Sequence, residues 1–197
     1  MGRVNSKNVK RVPITHHFIA SPERPANWTA IRFKRHKSWI DLNWTEYYQR
    51  GEAAGLGLAA LGVKAGDRVA VLANTRMEWA AIDFGILGLG AVTVPIYQSN
   101  RAEEIEFILK DSAARVLVVE DIAQLAKWQS IAKRCESVSA VVCMQPPEEL
   151  PPGVFAWDDF VEAGLKKFAS QPRYFTEQTE KTKLVSGCFM RPFPNPL

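Results

Sequence analysis

Four short apolar runs punctuate the middle of the chain: Arg68–Leu72, Ala91–Val94, Arg115–Val119 and Val138–Val142. Each is rich in valine and apolar on both sides, which predicts strands covered on both faces, as in a parallel sheet. The segments between them change to a helical period. Arg76–Leu89 is apolar nearly all round and predicts a buried helix. Further helices are expected over Asp121–Lys133 and Asp158–Phe168. Thr75 with Glu78, and Asn100 with Glu103, have capping-box spacing, and Glu103 and Glu104 place negative charge in a first turn. Strand alternating with helix makes this an α/β chain with a doubly wound, mainly parallel sheet, flanking helices and right-handed crossovers. The pattern leaves the strand order open.

Upstream, Ile31–Arg35 and Ser38–Leu42 predict a hairpin around a polar turn. Asn43 is the expected N-cap of the next helix, with Glu46 as its partner. Trp44, Tyr47, Tyr48, Ala54, Leu58 and Leu61 make one apolar face of it, and Gly62 suits the left-handed residue that ends it. Residues 1–30 hold Pro13, Pro22 and Pro25 without a period, which predicts an extended arm. Glu177–Lys183 is polar, and Leu184–Leu197 has three prolines among its last six residues. That tail has neither a strand nor a helix period. Gly66-Asp67 is the expected turn into the first sheet strand, Gly90 the end of the buried helix, and Pro95 the exit of the second strand.

Charge changes the picture only at the N-terminus. Residues 1–38 carry nine Lys/Arg against the single acid Glu23, so the rest of this net +4 chain is net −4. Such an arm can attract phosphates or an anionic membrane, but it lacks an organised helix or stacking platform, and no nucleic-acid partner is expected. Met1-Gly2-Arg3-Val4-Asn5-Ser6 fits the N-myristoylation pattern. No apolar run approaches the ~20 residues of a membrane span, and no signal-peptide core is present. A cytoplasmic, at most membrane-peripheral, location is expected. Cys135, Cys143 and Cys188 have neither zinc nor disulfide-framework spacing and read as reduced thiols. His16, His17 and His36 have no ligand spacing.

Gly55-Leu56-Gly57-Leu58-Ala59-Ala60 matches the GxGxxA dinucleotide fingerprint. That fingerprint works only where the glycines join a strand to a helix N-terminus. Here they fall inside a helical pattern, where they predict close helix packing. Gly85, Gly88 and Gly90 are a second decoy. Asp158-Asp159 reads as a helix cap rather than a paired catalytic carboxylate. No nucleophile–base constellation is visible.

Several blocks, in order, resemble one family. Trp39–Tyr47, Leu61–Ala70 (LGVKAGDRVA), Asn74–Trp79 (an N-x-x-E-W helix start with one extra residue), Gly90–Tyr97 (GAVTVPIY), Asp111–Arg115 (DSAAR) and Trp157–Phe160 (WDDF) are similar to the early part of AMP-forming acyl-CoA ligases of the long-chain fatty-acid type. Coverage runs from about Trp39 to about Lys183. The resemblance implies the N-terminal portion of the adenylate-forming ligase fold, and so an incomplete sheet, over residues 31–183. It implies a carboxylate activated by ATP to an acyl-adenylate and passed to CoA, with Mg²⁺ against the phosphates. The family's TSGTTGxPKG loop is expected soon after Lys183, where this chain has Val185-Ser186-Gly187-Cys188-Phe189-Met190. No catalytic, cofactor-binding or metal-binding residue is therefore carried over. A shift of frame near Leu184 and a natural truncation both fit the tail. The expectation is a ligase fragment, inactive alone, with exposed apolar faces, an unpaired strand edge and marginal stability. Two other readings are a non-catalytic module that partners a full-length ligase subunit or an anionic membrane, and a Rossmann-like nucleotide-binding domain.

Overall fold

The computed structural model describes residues 12–182. The myristoylation pattern, Cys188 and the proline-rich tail lie outside the described residues. In chain order the elements are α1 (Ile14–Ile19), a 3₁₀ turn (Ser21–Glu23), β1 (Thr29–Arg35), β2 (Ser38–Asn43), α2 (Trp44–Ala60), β3 (Arg68–Leu72), α3 (Met77–Gly88), β4 (Val92–Ile96), α4 (Ala102–Ser112), β5 (Val116–Val119), α5 (Ile122–Ile131), a second 3₁₀ turn (Ala132–Arg134), β6 (Ala140–Cys143), β7 (Val154–Ala156), α6 (Trp157–Lys167) and α7 (Tyr174–Glu180).

The four valine-rich runs are strands of one parallel sheet, ordered β4-β3-β5-β6-β7. Alternate residues of each strand point to opposite faces. Val69, Val71, Val116, Val118 and Val142 join a core with residues of α2, α3, α6 and α7. Ala70, Leu72, Leu117, Val119 and Cys143 join a second core with residues of α4 and α5. The sheet is thus the middle of three layers, as the doubly wound expectation requires. Each valine so buried contributes roughly 1.5–3 kcal/mol of transfer free energy.

The first core is closed by glycines. A Cβ on Gly164 would sit 2.3 Å from the Gly57 nitrogen, so α6 lies against α2 backbone to backbone. Gly85 faces Gly55 in the same way, and the Phe175 ring from α7 fills the space over Gly55 and Gly88. The packing role expected for the Gly55 and Gly57 pair is what the structure shows.

The β1–β2 hairpin stands apart from this sheet. Its inner face, Ile31, Phe33, Ile40 and Leu42, rests on Met77 and Ala81 of α3. Asn43 and Glu46 form the expected capping box of α2, with hydrogen bonds of 2.9 and 2.8 Å. Gly62 then takes φ +84°. The Asp67 carboxylate accepts from the Lys64 N–H in the turn before β3.

Several expectations are corrected. Residues 13–23 are not extended: Pro13 precedes α1, and Phe18 is buried, stacked on Phe84 at 4.0 Å. Thr75 does not cap α3. The Glu78 side chain is held by Arg76 at 2.7 Å, and the helix begins at Met77 with no side-chain cap. Asn100 is likewise inside a turn, with Lys127 on its carbonyl, and the Arg101 N–H donates to Glu104 at 2.8 Å instead. Asp158 and Asp159 lie in the first turn of α6, with Ala156 at the N-cap, so they meet the helix dipole without capping it. Pro95 sits inside β4, opposite Val71, which the outermost position of that strand permits. The polar stretch near Glu177 belongs to α7.

Candidate functional site

Chain order and strand order together locate a crevice. From β3 the chain crosses to β4 on one side, then back over β3 to β5 on the other. Where parallel strands part in this way, the loops beyond their carboxyl ends leave an opening, and ligands of doubly wound sheets lie there. In this chain the opening is framed by the loop after β3 (residues 73–76), by Glu120 after β5 and by Met144-Gln145 after β6.

The loops are tied together. The Glu120 carboxylate accepts from the Asn74 backbone N–H at 2.8 Å and from its side-chain amide at 2.9 Å. Arg76 reaches the same carboxylate at 3.4 Å and Glu78 at 2.7 Å. The Gln145 N–H donates to the Glu120 carbonyl at 2.8 Å. With its amide oriented by the network, the Gln145 side-chain oxygen accepts from Arg76 at 3.1 and 3.2 Å. Arg76, Glu78 and Glu120 are each at least four-fifths buried. Every charge in this cluster has a partner, as buried charges require. Arg76 is therefore spent on protein carboxylates and an amide. The cluster aligns three loops and offers neither a nucleophile nor a free base.

Two openings adjoin it. One, of about 330 Å³, lies beyond β3 and β4 between Trp79, Pro95 and Tyr97, with Asn74, Thr75, Gln98 and Ser99 among its polar lining residues. The other, of about 820 Å³, runs under the hairpin, with Lys34, Arg35 and Trp39 on one wall and Asn74, Glu120 and Gln145 on the other.

The candidates weighed from sequence lie elsewhere. Gly55 and Gly57 are in the middle of α2 against aromatic rings and cannot face a pyrophosphate. His16 is in α1, with its Nε2 buried and without a hydrogen-bond partner among the described residues. His36 is in the hairpin turn. Among the described residues no group of three His, Cys, Asp or Glu is arranged to hold a metal ion. Burial pushes the Cys135 and Cys143 thiols up, away from the reactive thiolate. No helix among the described residues is long and apolar enough to cross a membrane. Nothing in the sequence reading singled out the Asn74–Arg76–Glu120–Gln145 cluster. Its members come from three loops that only the strand order brings together.

A family model described as AMP-binding enzyme matches residues 18–181. The long-chain-fatty-acid–CoA ligase FadD15 of Mycobacterium bovis is 51% identical over 82 residues, which cover 42% of this chain and 14% of that protein. The long-chain-fatty-acid–CoA ligase heimdall of Drosophila melanogaster is 36% identical over 165 residues, covering 80% of this chain and 24% of that one. Among solved structures, the anthranilate CoA ligase AuaEII in complex with anthranoyl-AMP superposes with a TM-score of 0.67 at 28% identity, over 77% of this chain and 28% of the other. The chain spans about a quarter or less of the length of each of these proteins.

Proposed function

The chain belongs to the AMP-binding enzyme family, and on that premise we propose that it is the first α/β portion of an AMP-forming fatty-acid–CoA ligase and is inactive alone. The observation that supports this reading best is the family match over residues 18–181, set beside a candidate crevice whose charged groups are all engaged with one another. In the complete ligase, ATP, Mg²⁺, CoA and a long-chain fatty acid are the expected reactants. This portion supplies a rigid sheet and three tied loops against which the remaining parts assemble. It supplies no group that holds phosphate or moves a proton in the adenylation step.

Two features favour assembly with further polypeptide. β4 is the outermost strand of the sheet among the described residues, and beyond its end Tyr97 is 82% exposed. An unpaired edge beside exposed aromatic surface invites a covering element. The test is a chimera. Residues 18–181 would replace the equivalent segment of a related long-chain ligase, and acyl-CoA formation from palmitate, ATP and CoA would be measured. The chimera is expected to form acyl-CoA and the isolated chain to form none. Turnover by the isolated chain, or a folded chimera without activity, would sink the proposal.

A further inference from the structure

Asp83 stands on α3 between Ile82 and Phe84, half-buried and without an ion pair among the described residues. The Thr93 hydroxyl donates to its Oδ1 at 2.6 Å, but a neutral hydroxyl leaves the charge uncompensated. Burial pushes the Asp83 carboxyl up, and the Thr93 bond offsets only part of that rise. Glu78 and Glu120, buried at the crevice, share Arg76. A half-buried carboxylate with no cation is a cost that folded chains ordinarily avoid.

A groove surrounds this carboxylate. Trp79, Asp83 and Leu87 follow one another at four-residue spacing along one side of α3, and all three are half-buried. Thr93, Pro95 and Tyr97 alternate along the facing side of β4 and just beyond it. The bond from Thr93 to Asp83 ties the two rows, and Trp79, Pro95 and Tyr97 line the opening of about 330 Å³ at one end. The strand beside the groove has an open edge of a particular kind. The Val92 N–H donates to the Asp67 carbonyl at 2.8 Å, so alternate residues from Val92 face β3. The main chain of Thr93 and Pro95 therefore faces outward. Pro95 has no N–H to offer there, so an added strand would lose a ladder bond at the centre of the edge. A helix laid in the groove needs no such bond.

We propose that this groove docks an amphipathic helix of the polypeptide that completes the ligase, with apolar side chains between Trp79, Leu87, Pro95 and Tyr97 and an Arg or Lys on Asp83. The docking rests on the ligase reading of the chain. The apolar anchors supply the contact area, and the single charge fixes which helix fits and in what register. A second copy of the chain is a poor occupant. A two-fold contact would set the same patch against itself, and neither row holds a Lys or Arg to meet Asp83.

The test uses the full chain and the chimera that carries residues 18–181 in a related long-chain ligase. In the chimera, the photoreactive residue benzoylphenylalanine takes the place of Tyr97, which is 82% exposed. On irradiation it is expected to join a helical segment outside residues 18–181 that holds an Arg or Lys. The same probe in place of Ile122, exposed at the start of α5, should not reach that segment. Asp83→Asn keeps an acceptor for Thr93. It should lower the thermal midpoint of the chimera by about 3 °C or more, and leave that of the full chain within about 1 °C or raise it. Three results would overturn the proposal: cross-links confined to residues 18–181, cross-links to a second copy, or an equal effect of Asp83→Asn in the two proteins. An active chimera without the cross-link sinks the docking alone. A folded, cross-linked chimera without turnover counts against the ligase reading instead.

Discussion

The two faces of the sheet are made by the same strands, from residues one position apart, yet they are packed by different rules. On the α4–α5 face, Ile105, Leu109, Leu125 and Ile131 interlock with Leu72, Leu117 and Val119, side chain against side chain. On the other face the helices α2, α3 and α6 approach until backbones touch, with Gly55, Gly57, Gly85 and Gly164 at the contacts and the Phe160 and Phe175 rings filling the remaining space. An aliphatic face yields to a lost methyl group by partial collapse. The glycine face has no slack, because a new Cβ would strike main chain at Gly85 and Gly164 and a packed phenylalanine ring at Gly55 and Gly57.

The sharpest break in this comparison is Gly164→Ala. The added Cβ would meet the Gly57 nitrogen at 2.3 Å and the Leu56 carbonyl carbon at 2.5 Å, both backbone. α6 must lift from α2, at a cost of about 3 kcal/mol or more. Urea denaturation should show a large drop in midpoint or no folded baseline. On the aliphatic face, Leu109→Ala removes a fully buried side chain and should cost about 2–5 kcal/mol by its cavity. If Gly164→Ala proves the milder of the two, backbone contact is not what distinguishes the faces.

A third change sharpens the comparison through pH. Burial, then the nearby Asp83 charge, pushes the Tyr47 hydroxyl up to about 12 on the glycine-lined side. Unfolded, it titrates near 10, so between those values the unfolded chain releases a proton that the folded chain keeps. The stability this gives is complete below pH 10 and is lost as pH rises through 12. Tyr47→Phe should remove that loss, on the order of 1 kcal/mol, seen as a smaller fall in urea midpoint between about pH 9 and about pH 11.5. An equal fall in both proteins would refute the assignment. The smallest effect belongs to the aliphatic side. Ala113 ends α4 with φ +49°, where the Arg68 guanidinium donates to the Ser112 and Ala113 carbonyls. Ala113→Gly relieves the left-handed strain and should stabilise by up to about 1 kcal/mol, raising the thermal midpoint by a few degrees.

The strands were legible because a strand buried on both faces leaves a continuous apolar run. Arg68–Leu72 is β3 residue for residue, and the other three runs differ from their strands by one or two positions at one or both ends. The long helices were legible from period and caps, as Asn43 and Glu46 show. What escaped was short and tertiary. α7 has seven residues, too few for a period, and stands because Phe175 fits over Gly55 and Gly88, more than eighty residues away in sequence. α1 exists because Phe18 stacks on Phe84. β7 is a three-residue strand whose only sequence mark is Val154-Phe155-Ala156. The two displaced helix starts have one cause. Capping-box spacing names partners for Glu78 and Glu103, but Arg76 and the Lys127-held turn decide where the chain enters. The crevice cluster escaped for the most general reason, since Asn74, Glu120 and Gln145 are brought together by strand order, which the apolar pattern leaves open.

The hydroxyls of Thr15 and Thr182 meet at 3.0 Å across 167 residues of sequence. α1 and α7 thereby close the described chain into a ring around its glycine-packed face. A ring has no preferred opening. Residues 182 and 13 could be joined by a short flexible linker, and the chain reopened at Gly153, where nothing lies within 4 Å of an added Cβ. Such a permutant keeps every contact described above while moving its free ends to the far side of the sheet beside β7, away from α1 and α7.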